Sequence, residues 1–246
     1  MPGGAYSALS GMRARLEDLD RLASDLANIG TSGYKTERAA TVAAERPSFR
    51  AALDSAVDVT TGATHLDFRP GTIGTTGREL DAAIEGAGFF VVNGPNGERY
   101  TRNGSFARRA DGVLTAADGL PLVAAGSTPG QPPAQIRVGT GAISISEDGT
   151  VKAGDVVAGK LKLVAFASES DIERESGTRF RAKTGVTPGA SAARVVGGTL
   201  EQSNVTLVDR MVALTEVQRS FEALQRGVSV LMNDIDSRAI GELGRR

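Results

Sequence analysis

The sequence predicts an α+β fold, in which N- and C-terminal helices form a coiled-coil-like core pair and a central all-β domain, sandwich- or barrel-like, lies between them. Apolar residues recur at spacings of three and four near both ends of the chain, which is typical of helices. Between the ends, short apolar runs are punctuated by Asn-Gly and Asp-Gly turns, which is typical of β-domains. Glycine accounts for 31 of 246 residues, well above its usual share of about 7%.

The first helix is predicted from a seam of apolar residues before position 27. The spacing places these side chains at a and d positions of a heptad, with charged residues outside the seam. Asn28, Gly30 and Gly33 follow, and because Asn and Gly tolerate the left-handed conformation we expect the helix to end there. The seam residues are Leu9, Met12, Leu16, Leu19, Ala23 and Leu26.

The C-terminal helix is predicted from a longer seam without a polar interruption. Thr206 followed by Asp209 resembles a capping box and predicts the start of the helix. Because the two seams match, we expect the helices to pack on each other and to become firmly ordered when neighbouring subunits cover them. The predicted assembly interface comprises Leu9, Met12, Leu16, Leu19, Leu26, Leu214, Val217, Phe221, Leu224, Val228, Leu231 and Ile235.

The middle of the chain is predicted to be β-rich over residues 76–200. Phe89–Val92 is a strand candidate followed by an Asn-Gly-Pro-Asn-Gly turn, and similar short strands and turns continue toward Val195. Residues 36–75 form a connector in this prediction, with one short helix over Ala51–Val57. The predicted division is therefore 1–35, 36–75, 76–200 and 201–246.

Composition narrows the function classes. Lys and Arg total 28 and Asp and Glu total 29, so the basic excess of a nucleic-acid binder is missing. Cysteine is absent and His65 is the single histidine, which disfavours metal and acid–base chemistry. Met1–Gly4 lacks the features of a secretory signal, and no apolar run reaches about 18 residues. Composition alone therefore predicts a soluble cytoplasmic protein without membrane insertion.

Three stretches could carry chemistry, and each has a simpler interpretation. His65 and Asp67 could act as a base and its orienting partner, but a lone histidine in a Thr- and Gly-rich connector is more often a surface residue. Gly154–Leu161 fits the first part of a phosphate-binding loop, yet Leu161 stands where Ser or Thr must hold Mg²⁺. We therefore expect no catalytic, metal or cofactor site. A basic cluster that could meet an acidic partner or phosphate comprises Arg99, Arg102, Arg108 and Arg109.

Four stretches, in order along the chain, resemble the bacterial flagellar rod and hook proteins. Ser24–Lys35 is similar to the family's N-terminal signature, with Asp25 in place of its first Asn. Leu80–Val92 resembles the central motif, Tyr100–Phe106 the strand and turn after it, and Gly198–Val205 the C-terminal signature. The matching motif residues are Leu26, Ala27, Asn28, Thr31, Gly33, Tyr34, Lys35, Leu80, Asp81, Ile84, Gly86, Gly88, Phe89, Phe90, Ser203, Asn204 and Val205.

The resemblance implies an axial structural subunit of the flagellar basal body, without enzymatic activity. Its implied partners are other rod and hook proteins and the flagellar type III export apparatus, and its implied location is the periplasmic rod, reached without a cleaved signal. This replaces the cytoplasmic expectation. The short gap from Lys35 to Leu80 favours a proximal over a distal rod subunit. A secreted β-rich adhesin is the alternative from another class, although it would not explain two heptad ends, and an enzyme comes third for want of a catalytic constellation.

Overall fold

The computed structural model describes residues 2–39, 64–127 and 133–243, and divides the chain into two compact units. The helical unit contains helices α1 (Pro2–Ala27) and α2 (Leu207–Leu243). The β unit contains Asn28–Arg38 and His65–Val205. The strands in chain order are β1 (Glu37–Ala39), β2 (Thr64–Leu66), β3 (Ile73–Thr75), β4 (Ala82–Glu85), β5 (Phe89–Gly94), β6 (Gly97–Thr101), β7 (Ala107–Arg108), β8 (Leu114–Thr115), β9 (Ile143–Ile145), β10 (Thr150–Ala153), β11 (Val156–Lys160), β12 (Leu163–Ala165), β13 (Ile172–Ser176), β14 (Arg179–Ala182), β15 (Gly189–Ala190), β16 (Arg194–Gly197) and β17 (Thr199–Glu201).

The largest sheet has six antiparallel strands in the order β13-β14-β6-β5-β12-β15. A three-stranded sheet, β11-β10-β9, and the pairs β16-β4, β17-β3, β7-β8 and β1-β2 complete the described sheets. The pairs β16-β4 and β17-β3 join strands more than a hundred residues apart. The β-rich domain is therefore present, but it consists of one larger sheet with several small ones.

Strand β5 supplies side chains to both hydrophobic clusters of the β unit. Successive side chains of a strand point to opposite faces. Phe90 and Val92 accordingly pack in one cluster, where the rings of Phe90 and Phe106 meet edge to face at 5.0 Å between centroids. Phe89 and Val91 pack in the other. All four side chains are buried, so this strand is covered on both faces.

The helical unit does not confirm the predicted coiled-coil-like core pair. The helices lie side by side, and an Arg210 nitrogen is 3.4 Å from an Asp25 carboxylate oxygen. However, Leu9 and Leu16 are exposed, and Met12, Leu19 and Leu26 are only half-buried. The five described seam side chains of α2 are also half-buried, namely Leu214, Val217, Phe221, Leu224 and Val228.

The predicted fold class is therefore wrong. The chain is mostly β with a helix at each end, and a coiled-coil-like pairing of the terminal helices is not confirmed. The buried apolar residues lie in the β unit except for Leu22, which is outside the predicted seam. Spacings of three and four identify an apolar helix face, but they do not identify what covers it.

Some predictions fall on residues outside this description. The helix predicted over Ala51–Val57 and most of the connector 36–75 lie there. The side chains of Leu231 and Ile235 also lie outside it, although α2 runs through both positions. The division into four segments stays a prediction. Among the described residues, neither helix has a stretch apolar and long enough to cross a bilayer.

Candidate assembly site and the buried charge cluster

The β unit is tied together by a charge cluster that comprises Lys35, Arg102 and Glu201. The Lys35 ammonium forms an ion pair with Glu201 Oε1, and an Arg102 nitrogen lies 3.3 Å from Glu201 Oε2. Oε1 also accepts a hydrogen bond from the Gly71 backbone N–H at 3.1 Å. The cluster therefore joins the N-terminal segment, the strand region after β6 and the end of β17.

Burial dominates the electrostatics of this cluster. All three side chains are at most 5% exposed. Loss of solvent lowers the pKa of Lys35, and Glu201 offsets part of that effect. Burial likewise lowers the pKa of Arg102, again opposed by Glu201. Lys35 also donates to the Arg69 carbonyl at 2.9 Å, and Arg102 to the Gly86 carbonyl at 2.8 Å. Two cations thus share one carboxylate and neighbouring backbone carbonyls.

Backbone contacts fix the two terminal segments of the β unit against each other. The Gly33 N–H donates to the Glu201 carbonyl at 2.8 Å. The Asn204 side chain accepts from the Thr36 N–H at 2.9 Å and donates to the Asp67 carbonyl at 2.7 Å. A single Asn amide therefore bridges two chain segments that are far apart in sequence, because its oxygen accepts while its nitrogen donates.

Arg174 fastens the N-terminal segment to strands β13 and β14. Its guanidinium lies 4.6 Å from the Tyr34 ring centroid and 5.6 Å from that of Phe180. It also donates to Glu37 Oε1 at 2.7 Å and to the Lys35 carbonyl. Stacking on an aromatic face together with charged hydrogen bonds is typical of Arg rather than Lys.

The motif residues of the family lie at the end of α1 and in turns and strands of the β unit. After α1, Asn28 accepts from the Thr31 N–H at 3.0 Å, which turns the chain toward the buried Gly33, Tyr34 and Lys35. Leu80 directly precedes Asp81, and Ile84 lies in β4. The Asp81 carboxylate accepts a hydrogen bond from the Thr76 hydroxyl at 2.7 Å. Gly86 and Gly88 precede the buried Phe89 and Phe90 of β5. Leu26 and Ala27 are the last residues of α1. Ser203 and Val205 lie on either side of Asn204. Their functional roles stay predictions.

The stretches that could have carried chemistry are placed apart. His65 is exposed, and Asp67 binds Arg69 and Arg38 rather than His65, with shortest distances of 2.7 and 2.8 Å. Gly154–Leu161 covers the turn and second strand of the β10–β11 hairpin and the residue after it. In the predicted basic cluster, Arg99 pairs with Glu175, Arg102 with Glu201 and Arg109 with Asp111, while Arg108 donates to the Gly139 carbonyl. The four arginines therefore have separate partners.

The charge cluster could not be recognised in the sequence. Lys35 was matched to a motif, but nothing paired it with Glu201, 166 positions away. The one indication in the sequence that Lys35 and Glu201 are in contact is that they lie in the N- and C-terminal signatures of the same family. Within the described part of the chain, no group of three or more metal-ligating side chains is placed to hold an ion.

Both helices leave large apolar side chains exposed, which is typical of a surface that contacts other proteins. Comparisons with known proteins agree. Residues 83–153 match the family described as the flagellar hook protein FlgE/F/G D1 domain. Residues 196–237 match the family described as the flagellar basal body rod FlgEFG protein C-terminal.

Several relatives match most of the chain. The flagellar basal-body rod protein FlgF of Caulobacter vibrioides is 32% identical over 92% of either chain. FlgF of Salmonella typhimurium is 31% identical over 97% of either chain. FlgG of Bacillus subtilis is 32% identical over 89% of this chain and 90% of its own length.

The chain belongs to the flagellar basal-body rod protein family and is most like FlgF. It is a structural protein of the basal-body rod and not an enzyme, and membership of this family implies assembly with other axial flagellar proteins.

Proposed function

We propose that the chain assembles with copies of itself and with other axial proteins through the apolar faces of α1 and α2. In this proposal the packed helices form a helical tube that encloses the export channel, and the rod so formed transmits torque. A contact between two different faces of one subunit repeats without closing, which gives a helical array. Densely packed apolar side chains resist deformation, which is what a rod under torque requires.

The observation that carries the proposal is the exposure of large apolar side chains on both helices. On α2, Val208 and Val230 are 67% and 68% exposed, and on α1 Leu9 is 62% exposed. Val208, Met211 and Val212 lie at helical spacings of three and four on α2 and are all more than half exposed. Neighbouring exposed apolar side chains of this kind mark an interaction site. The predicted interface residues whose side chains the structure describes are all exposed or half-buried, so each of these has surface left for a neighbour to cover.

We also propose the route and place of assembly. The subunit leaves the cytoplasm through the flagellar type III apparatus without a cleaved signal and joins the rod in the periplasm, at a proximal position. Similarity to proteins named FlgF supports the proximal position, and similarity to FlgG of Bacillus subtilis makes a distal position the alternative. The near balance of charge supports a partner set without nucleic acid, and no membrane insertion is part of the proposal.

Substitution of Phe221 tests the helix faces. Phe221→Asp, produced in cells that lack their own copy, is expected to abolish both incorporation into purified basal bodies and swimming, because a charge on an apolar contact face opposes its burial. Gln225→Asp introduces the same charge one turn further along α2 at an exposed polar position and is the matched control. Normal incorporation of Phe221→Asp would contradict the proposal, provided that both variants accumulate to equal levels.

A further inference from the structure

Helix α1 does not turn its predicted apolar seam toward α2. A Cβ built at Gly11 would lie 3.6 Å from Leu224 Cδ1, and Asp25 pairs with Arg210. Positions 11 and 25 therefore both belong to the face of α1 that meets α2. The buried Leu22 lies on the same face, because it is about three turns from position 11 and about one turn from position 25. None of these three residues belongs to the seam.

The contact face and the seam of α1 differ by one residue position. Each of the three contact residues is followed directly by a seam residue, namely Met12, Ala23 and Leu26. One position corresponds to a rotation of about 100° about the helix axis. Helix α1 therefore has two possible settings on α2, the observed one with Asp25 facing α2 and a rotated one with the seam facing α2. The rotated setting would turn the exposed Leu9 and Leu16 toward α2, which the burial of apolar surface favours.

The ion pair between Asp25 and Arg210 opposes the rotated setting. The Asp25 side chain is 1% exposed and that of Arg210 is 21% exposed. Among the described side chains this is the one ion pair that joins the two helices, since the pairs of Arg13, Arg15 and Arg21 lie within α1. The Arg210 Nε is buried and lacks a hydrogen-bond partner in the described part of the chain. A buried polar pair restricts a helix contact to the arrangement that keeps its members together.

We propose that Asp25 and Arg210 are positioning residues, which hold α1 in the setting that turns Leu9 and Leu16 away from α2. The apolar pattern of α1 favours the opposite setting, and the ion pair decides between the two. Leu9 and Leu16 thereby stay available to a neighbouring subunit. The use of this outward face in assembly rests on the proposed function, whereas the positioning itself is a property of the single chain.

Disulfide formation measures the setting of α1, because the chain contains no cysteine of its own. Gly11→Cys with Leu224→Cys reports the observed setting, and Met12→Cys with Leu224→Cys reports the rotated one. A disulfide requires Cβ atoms about 3.5–4.5 Å apart, so each pair is selective for its setting. The purified full chain is oxidised, and the yields of the two disulfides are compared by mass spectrometry of non-reduced peptides. Without further substitutions, the Gly11→Cys pair is expected to give the higher yield.

Asp25→Ala is expected to raise the ratio of the Met12→Cys yield to the Gly11→Cys yield about tenfold, the equivalent of ~1.4 kcal/mol. Asp18→Ala is the matched control, because the Asp18 carboxylate pairs within α1, with Arg15 and Arg21. This control is expected to leave the ratio unchanged. The exchange Asp25→Arg/Arg210→Asp keeps opposite charges at the contact and is expected to keep the original ratio, which a general effect on helix stability would not do.

The outcomes separate the positioning role from the assembly proposal. An unchanged ratio in Asp25→Ala, a raised ratio in Asp18→Ala or in the exchange variant, or loss of both disulfides in Asp25→Ala would each overturn the positioning role. If Phe221→Asp is incorporated normally while the disulfide ratios are as expected, the positioning role stands and the assembly proposal falls. If Phe221→Asp abolishes incorporation while Asp25→Ala leaves the ratio unchanged, the assembly proposal stands and the positioning role falls.

Discussion

Glu201 and Lys35 form an ion pair in which neither side chain is more than 1% exposed, although 166 positions separate them along the chain. Removing one member of a buried pair leaves an uncompensated charge, which costs about 3–5 kcal/mol. In this cluster the two members are not equivalent, because Glu201 also faces Arg102.

Glu201→Gln is expected to destabilise the β unit by about 3–5 kcal/mol, since it leaves two buried cations without a carboxylate. Lys35→Met is expected to cost less, about 1–3 kcal/mol, because Glu201 keeps Arg102 as a partner. Urea unfolding of the full chain measures both. An equal or larger loss in Lys35→Met would contradict the assignment of Glu201 as the centre of the cluster.

Gly33 is expected to be irreplaceable for two separable reasons. Its φ of +69° is unfavourable for other residues, and a Cβ built there would lie 2.3 Å from the Asn103 backbone nitrogen. Gly77 has a φ of +70° but open space around its Cβ position, so it controls for the dihedral angle alone. Gly77→Ala is expected to cost about 1–2 kcal/mol.

Gly33→Ala is expected to cost a further ~1–3 kcal/mol, since backbone must shift to admit the methyl group. Thermal unfolding of the two variants, measured side by side, gives the difference. Equal losses of stability in Gly33→Ala and Gly77→Ala would mean that the close approach of residue 33 to Asn103 is not a reason for glycine at position 33.

Glu175 is expected to make stability depend on pH in the acid range. Burial alone would raise the pKa of Glu175, but hydrogen bonds from Arg99 and Arg179 outweigh burial and hold the pKa below its usual range. Because the folded pKa is the lower one, the contribution of Glu175 is complete above the unfolded value of about 4.3 and is lost as the pH falls through the folded pKa.

Glu175→Gln is expected to lower the free energy of unfolding by about 1 kcal/mol at pH 7, and the difference from the wild type should shrink below about pH 4. Glu173→Gln is the control, because its pair with Arg181 is more exposed, 40% and 54%, and should contribute less. Urea unfolding across pH 2.5–7 measures both variants. A Glu175→Gln deficit that stays constant down to the lowest pH would refute this role for the carboxylate.

The β-rich middle and both terminal helices could be predicted from the sequence because they depend on local patterns. Phe89–Val92 was expected as a strand, and its alternating side chains follow from strand geometry. The relation between the helices could not be predicted, because the seam at Leu9 and Leu16 encodes apolarity and not the surface that covers it. The charge cluster could not be predicted either, because the pairing of Lys35 with Glu201 depends on the tertiary path of the chain.

The two phenylalanines of β5 have a consequence for how the β unit comes apart. Phe89 and Phe90 are neighbours in sequence, yet they are shared between the two clusters. A slip of this strand by one position would exchange the occupants of both clusters at once. Because one strand supplies both clusters, we expect the two clusters to unfold together.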